Sequence, residues 1–222
     1  MLAKEILNND FVPLQPTSPV SAALAKMDAW QTSSVPVVES ITNKLVGHIL
    51  FEDVADRVDE SSPISDLEIR TPIYTLENQH IFEVARQMLQ HEVRILSVID
   101  HSDAYLGVIE KKNVLEALTN MLNVTVDGSV ITVQMAKSDF TLSELVHLIE
   151  TEEARILGLT VEPSKDLEPF LEVSIKVNTQ ETSAITSSLR RHGYLVTTSN
   201  RADLVQIDLS TRADELMRYL DV

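Results

Sequence analysis

The side chains that most often carry covalent chemistry are absent from this sequence or scattered along it. The chain has 222 residues and no cysteine, which excludes a disulfide framework, a thiolate nucleophile and cysteine-ligated zinc. Its six histidines, at positions 48, 80, 91, 101, 147 and 192, include no pair at the i, i+4 spacing of a helical zinc motif. No Ser/His/Asp arrangement and no paired-carboxylate motif stands out. We therefore expect no metal site and no enzymatic activity.

The charge and the glycine content narrow the possible ligands and partners. The net charge is −16, and the longest basic clusters are the pairs Lys111-Lys112 and Arg190-Arg191, so we expect neither a nucleic acid nor a membrane surface as partner. The same acidity disfavours a highly charged ligand such as ATP. There are only 5 glycines, and neither GxGxxG nor GxxxxGK[ST] occurs.

The sequence has no run of 18 or more apolar residues, and its start, Met1 to Ile6, lacks the apolar core of a signal peptide. These two features predict a cytoplasmic location.

The elements that would position any ligand-binding group are predicted by an internal repeat. Residues 35–39, Val-Pro-Val-Val-Glu, match residues 96–100, Leu-Ser-Val-Ile-Asp, at an offset of 61. Residues 47–49, Gly-His-Ile, match residues 107–109, Gly-Val-Ile, at an offset of 60. The segments before each match also correspond, with helical apolar spacing that begins at Val20 in one copy and at Ile81 in the other.

Each copy is predicted to fold as a β-α-β-β-α unit of about 60 residues. A short extended piece and a helix come first. Two strands follow, predicted at residues 35–38 and 45–50 in the first copy and at residues 95–99 and 105–109 in the second. A closing helix begins near Glu52 or Lys112. Because a unit of this size buries only a small core, we expect the two copies to pack against each other.

The second half of the chain has a different pattern. After a predicted linker at residues 123–128, strands and helices alternate in the order β-α-β-β-α-β, the ferredoxin-like arrangement. Gly193 is predicted to end the second helix of this unit at the C′ position. Residues 204–209 and 213–220 are predicted to add a strand and a short helix.

These patterns resemble two known domain families. The repeated Val-Pro-Val-Val-Glu, Gly-His-Ile and Glu-Asp-Val segments resemble the tandem CBS domain, or Bateman module, and the second half resembles the ACT domain. The whole resembles the acetoin-utilisation protein B type in architecture. The expected fold is mixed α/β (α+β). The expected domains are CBS repeat 1 (1–60), CBS repeat 2 (61–122), the linker (123–128), an ACT-like domain (129–200) and a C-terminal extension (201–222).

The CBS resemblance implies a ligand site in the first repeat. In CBS domains that bind adenosine-type ligands, a Gly-apolar-apolar-(Thr/Ser)-x-x-Asp stretch supplies a hydroxyl to a phosphate and a carboxylate to the ribose. Here the stretch runs from Gly47 to Asp53, with Leu50 in place of the hydroxyl. Asp53, Leu50, Val35 and Pro36 are therefore the implied ligand residues. Asp53 has a second interpretation as a carboxylate that stabilises a helix N-terminus without any ligand.

The second repeat departs further from the family pattern. Glu110 stands in the hydroxyl place, Asn113 in the Asp place, and Arg94 precedes the buried strand. Glu110 would repel a phosphate, whereas Asn113 can still hydrogen-bond a ribose. Glu110 is alternatively a solvated strand end. Arg94 either points into the cleft between the repeats or pairs with an acid at the surface.

Two functions follow from the resemblance. The first is a non-catalytic sensor in which the CBS pair binds an adenosyl ligand (AMP, ADP, ATP, NAD or S-adenosylmethionine) and modulates an unknown protein partner. The second is a dimeric scaffold with degenerate sites, or amino-acid sensing through the ACT-like domain. A homodimer is expected in either case. The stretch from Lys137 to Leu142, where ACT domains usually carry a glycine, has none, which weakens the amino-acid hypothesis.

Overall fold

The computed structural model describes residues 1–55, 59–164 and 169–198 of the chain. They divide into two compact units, Met1–Leu118 and a second unit that begins at Thr119. The strand and helix predicted at residues 204–209 and 213–220 lie outside the described residues.

The second half of the first unit contains the predicted β-α-β-β-α order, and the first half contains the same order without its first strand. The first half contains α1 (Val20–Ala29), β1 (Ser34–Val38), β2 (Leu45–Leu50) and α2 (Phe51–Val54). The second half contains β3 (Tyr74–Leu76), α3 (Ile81–Gln90), β4 (Ile95–Ile99), β5 (Tyr105–Glu110) and α4 (Lys111–Met121). In both halves the two longer strands pair antiparallel, β1 with β2 and β4 with β5.

The first extended piece differs between the halves. In the second half it is the strand β3, which runs parallel to β4. In the first half only Leu14 makes a parallel bridge to β1, through hydrogen bonds to the backbones of Pro36 and Val38. The next hydrogen bonds of this parallel ladder would need an N–H at Pro16 on one side and at Pro36 of β1 on the other, and because proline has none, the ladder does not extend in either direction.

The segments that precede the repeats are exchanged between them. The N-terminal segment pairs with the second repeat, where Asn8 and Val108 share two backbone hydrogen bonds of 2.8 and 3.1 Å. The connector before the second repeat pairs with the first, where His48 and Arg70 share two backbone hydrogen bonds of 3.0 and 2.9 Å. Both contacts are made beside a glycine, because a Cβ at Gly47 or Gly107 would overlap the approaching backbone oxygen.

One hydrophobic core joins the two repeats of the first unit. Leu14, Val35 and Ile49 from the first repeat share a cluster with Ile95 and Val108 from the second. A buried polar contact joins the sheets as well, since His48 on β2 bonds Ser97 on β4. The repeats therefore fold as one unit.

The second unit is ferredoxin-like, as predicted. Its elements are β6 (Ser129–Ala136), α5 (Leu142–Thr151), β7 (Ile156–Pro163), β8 (Phe170–Val177), α6 (Ser183–Arg191) and β9 (Leu195–Thr198). The four strands form an antiparallel sheet in the order β7-β8-β6-β9. Its core contains Ile131, Leu145, Val173 and Leu189.

Candidate functional site

A cavity of about 440 Å³ opens in the first unit where the two repeats meet. Its volume falls within the range of small-molecule sites, roughly 300–1,000 Å³. The end of α1, the turn after it, the start of α2 and the residue before β4 surround it. The lining includes Met27, Asp28, Thr32, Ser33, Phe51 and Arg94.

The turn that follows α1 is held by local contacts. Trp30 is the C-cap residue of α1, and its ring lies 4.3 Å from the Phe11 ring, measured between centroids. Gln31 adopts a left-handed conformation with φ of 50°, which reverses the chain. The buried Thr32 hydroxyl then donates to the Ser34 carbonyl oxygen at 3.1 Å, and the Ser33 carbonyl accepts from the Phe51 N–H at 2.8 Å. Ser33 and Phe51 are therefore fixed beside each other at the cavity.

Arg94 is the cation among the residues that line this cavity. Its Nη1 donates to the Gln31 carbonyl oxygen at 3.1 Å, which ties a side chain of the second repeat to the turn of the first. Sequence reasoning left two positions open for Arg94, the cleft or a surface ion pair, and the structure places it at the cavity. Asp28 lies at the same cavity, so the charges of the lining include one of each sign.

Asp53 stands at the third position of α2, two residues after Phe51. Its Oδ2 accepts the Leu50 N–H at 3.0 Å, which satisfies one of the free donors of the helix start. The Arg70 guanidinium also binds Asp53, with Nη2 to Oδ1 at 2.6 Å and Nε to Oδ2 at 3.4 Å. The Asp53 side chain is only 12% exposed. Its carboxylate is thus bonded within the protein on both oxygens.

Sequence reasoning missed Arg70. It lies in the connector, 17 residues after Asp53, and no motif spacing relates the two. One signal was available, because Arg70 is the only Lys or Arg between residues 59 and 73. Its Nη2 also contacts Glu52 Oε1 at 3.1 Å, and the hydrogen bond to Asp53 raises the pKa of the guanidinium above its usual value.

Neither Asp53 nor the other implied residues of the first repeat line the cavity. Val35 is fully buried in the core, and Pro36 is a buried residue of β1 opposite His48. Leu50, half-buried, ends β2, where its N–H bonds Asp53. None of the three is among the residues that line the cavity.

The second repeat has its own internal partner for the acidic residue. Glu110 Oε1 accepts a hydrogen bond of 2.8 Å from Asn8 Nδ2, so Glu110 is not merely a solvated strand end. Asn113 lies half-buried in the first turn of α4. The Arg94 side chain extends to the cavity described above, while its carbonyl oxygen accepts from the Lys111 N–H at 2.8 Å, next to Glu110.

His48 is a buried titratable residue of the first unit. Burial lowers its pKa from 6.5 to about 4. The Ile73 N–H donates to Nδ1 at 3.3 Å, so Nε2 carries the proton and donates to the Ser97 hydroxyl at 3.0 Å. Among residues 1–55, 59–164 and 169–198, no group of His, Cys, Asp and Glu is arranged to hold a metal ion.

The second unit has a cavity of about 370 Å³ near the glycine-free stretch after β6. Its lining includes Asp139, Glu144, His192 and Tyr194. Burial, and then the nearby Glu144, raise the pKa of Tyr194. Within the described part of the chain, no helix is long and apolar enough to span a membrane.

Comparison with known proteins identifies the domain family of the first unit. The sequence model of the CBS domain matches residues 3–60 and again residues 64–120. Inosine-5'-monophosphate dehydrogenase from Methanocaldococcus jannaschii is 25% identical over 114 residues, which are 51% of this chain and 23% of the dehydrogenase. Homoserine O-acetyltransferase from Methanococcus vannielii is 23% identical over 123 residues, or 53% of this chain and 25% of the transferase. The chain thus spans about a quarter of the length of these relatives.

A solved structure shares the fold over a similar extent. The crystal structure of a CBS domain pair/ACT domain protein from Thermotoga maritima superposes with a TM-score of 0.50 and 24% sequence identity. The match covers 55% of this chain and 99% of that one.

Proposed function

As the chain belongs to the CBS domain family, we propose that it is a non-catalytic regulatory protein whose CBS pair binds an adenosine-containing metabolite. Binding would change the affinity of the protein for a partner protein or for a second copy of itself. The two relatives named above are enzymes, but this chain matches only about a quarter of their length, so we do not assign their activities to it.

The observation that carries this proposal is the cavity of about 440 Å³ between the repeats, with Asp53 on the helix that begins at its edge. The groups around it suit the three parts of a nucleotide. The exposed Phe51 ring in the lining offers a stacking surface to a purine. Asp53 lies two residues further along α2, outside the lining, and is the carboxylate proposed to accept the ribose hydroxyls. The Ser33 hydroxyl and the Arg94 guanidinium are donors for a phosphate.

The charge balance of the cavity favours a ligand with little phosphate. Arg94 is opposed by Asp28 in the lining, and the two acids of α2, Glu52 and Asp53, share the cation Arg70, which leaves one negative charge in excess there. Like charges a few Å apart cost about 1 kcal/mol in water and several in a less polar cleft. We therefore expect AMP, adenosine or S-adenosylmethionine to bind more tightly than ATP.

Calorimetric titration of the purified protein tests the proposal. The panel contains adenosine, AMP, ADP, ATP, NAD and S-adenosylmethionine. We expect at least one to bind, and we expect Arg94→Ala to weaken binding of a phosphate-bearing ligand about tenfold. The matched control is Arg86→Ala, which removes an exposed arginine from α3, away from the cavity lining. A panel in which nothing binds contradicts the proposal.

A second function, a dimeric scaffold with degenerate sites, is favoured by one specific observation. The acidic groups at both candidate positions have internal partners, Arg70 for Asp53 and Asn8 for Glu110. In that case the protein would self-associate with the same affinity in the presence and absence of every nucleotide of the panel. Sedimentation velocity with and without AMP separates the two functions.

A further inference from the structure

The Asp53 carboxylate is occupied by a side chain that a ligand would have to displace. We propose that Arg70 is an internal competitor for the ribose position of the first repeat, so that ligand binding and the Arg70–Asp53 ion pair exclude each other. This inference rests on the proposed function, because it concerns the regulation of the same site. It makes Arg70 a determinant of the affinity of the site for every ligand that binds Asp53.

The backbone delivers Arg70 to this position. Arg70 and His48 share two backbone hydrogen bonds of 3.0 and 2.9 Å, which fix the connector against β2. The absence of a side chain at Gly47 permits this close approach. Because β2 leads directly into α2, the same pairing aligns the Arg70 side chain with the acid at the start of that helix.

The Arg70 guanidinium donates hydrogen bonds to Asp53 in the pattern that we expect of the two ribose hydroxyls. Arg70 Nη2 and Nε reach the two different oxygens of Asp53, at 2.6 and 3.4 Å. Two vicinal hydroxyls are the ligand groups that can donate one hydrogen bond to each oxygen. A sugar with a single hydroxyl would leave one buried carboxylate oxygen without the donor it loses from Arg70, which costs binding free energy.

Release of Arg70 is made easy by its surroundings. Its side chain is 44% exposed, so water can solvate the guanidinium once it leaves Asp53. Glu52 Oε1, at 3.1 Å from Nη2, remains as a partner, and the Glu52 side chain is 69% exposed. Arg70 can therefore leave without becoming a buried unpaired cation, whereas Asp53, 12% exposed, needs a replacement donor, which the ribose hydroxyls of a ligand would supply.

The second repeat lacks such a competitor. Asn8, which pairs with Val108 as Arg70 pairs with His48, makes a single hydrogen bond to Glu110 and not to Asn113, the counterpart of Asp53. An amide carries no charge and does not neutralise the carboxylate. Competition with a charged group is thus specific to the first repeat.

Calorimetric titration with AMP tests the inference on three full-length proteins: wild type, Arg70→Ala and the control Arg86→Ala. Arg86, like Arg70, is an exposed arginine paired with a glutamate, but it lies on α3. We expect Arg70→Ala to bind AMP about fivefold more tightly than wild type and Arg86→Ala to bind it unchanged. Weaker or equal binding by Arg70→Ala overturns the inference, because Arg70 would then contact the ligand or have no role.

Two further measurements keep the inference testable. Arg70→Lys retains the charge but cannot form the two-point contact, so we expect its affinity to lie between those of wild type and Arg70→Ala, even if alanine impairs folding. With 2'-deoxy-AMP, we expect wild type and Arg70→Ala to lose the same factor of affinity relative to AMP, because Arg70 has left Asp53 in both complexes. A smaller loss in wild type would mean that Arg70 stays on Asp53 when the ligand is bound, which contradicts the mutual exclusion. If wild type binds AMP and Arg70→Ala gains nothing, only the competition fails. If neither protein binds any nucleotide, the proposed function fails with it.

Discussion

The His48 imidazole of the first repeat and the Ser97 hydroxyl of the second form a buried hydrogen bond, 3.0 Å from Nε2 to Oγ. It lies between β2 and β4, so it links the sheets of the two repeats. His48 is 6% exposed and Ser97 is 1% exposed, and no charged group balances a proton on the ring. The link therefore depends on a neutral histidine.

We predict that His48 makes the protein less stable as the pH falls from 6.5 towards 4. The unfolded chain takes up a proton at His48 near pH 6.5, whereas the folded protein resists protonation until about pH 4. Protonation thus favours the unfolded state throughout this window, by up to about 3 kcal/mol at its lower end.

Urea unfolding of wild type and His48→Gln at pH 7 and at pH 4.5 measures this effect. The free energy of unfolding should fall more steeply for wild type, and the exposed His101→Gln should behave like wild type. Parallel losses in all three proteins would mean that His48 is protonated in the folded state.

We predict that Gly47→Ala destabilises the first unit by about 3 kcal/mol. The added Cβ would overlap the Arg70 carbonyl oxygen and the Ile69 side chain, so the connector would have to move off β2. Gly193→Ala is the control. Nothing lies within 4 Å of its Cβ position, and only its φ of 85° opposes the change, which costs about 1 kcal/mol. Chemical denaturation compares the two variants, and equal losses would contradict the close approach.

We predict that Thr75→Val stabilises the protein by about 1 kcal/mol. The Thr75 hydroxyl is buried on β3 and has no hydrogen-bond partner among the described residues. Valine has nearly the same shape and removes the unpaired polar atom.

The matched change is Thr132→Val on β6. The Thr132 hydroxyl bonds the Ser174 hydroxyl at 3.1 Å, so this replacement should destabilise the protein by about 1 kcal/mol. Thermal unfolding monitored by circular dichroism shows whether each replacement raises or lowers the stability of the protein. A loss of stability in Thr75→Val would show that its hydroxyl is paired, for example by water.

We predict that Asp53→Ala lowers stability by about 1 kcal/mol in the absence of any ligand. The change removes the acceptor for the Leu50 N–H at the start of α2 and the main partner of Arg70. Glu52→Ala, one residue earlier, removes an exposed side chain that caps nothing, and its melting temperature should match that of wild type. Equal melting temperatures for Asp53→Ala and wild type would show that the Asp53 side chain does not contribute to the stability of the protein.

Strands and turns that follow from local pattern were predictable. The strands predicted at residues 45–50 and 95–99 are β2 and β4 with those bounds, because short apolar runs between turns define buried strands. Gly193 follows α6 with a φ of 85°, as predicted for a glycine at the C′ position.

The contacts of the connecting segments were not predictable. Residues 62–70 and the N-terminal segment attach through backbone hydrogen bonds, which place no constraint on side-chain type. The helix-start acid Asp53 follows from the repeated motif, but its partner Arg70 lies 17 residues away in a segment without periodicity. The cavity could not be predicted either, because Thr32 and Ser33 of its lining belong to an irregular turn without periodicity.

The exchange of the preceding segments determines what can be moved from one protein to another. A fragment cut at residue 60 would carry the N-terminal segment, whose hydrogen bonds go to Val108 of the other repeat, and would lose the connector that pairs with His48. Each half would then expose an unpaired strand edge, which promotes aggregation. The smallest piece that can be moved in a gene fusion is therefore the pair of repeats with both preceding segments. A single repeat inserted into another protein would need a strand of that protein to pair with its exposed edge.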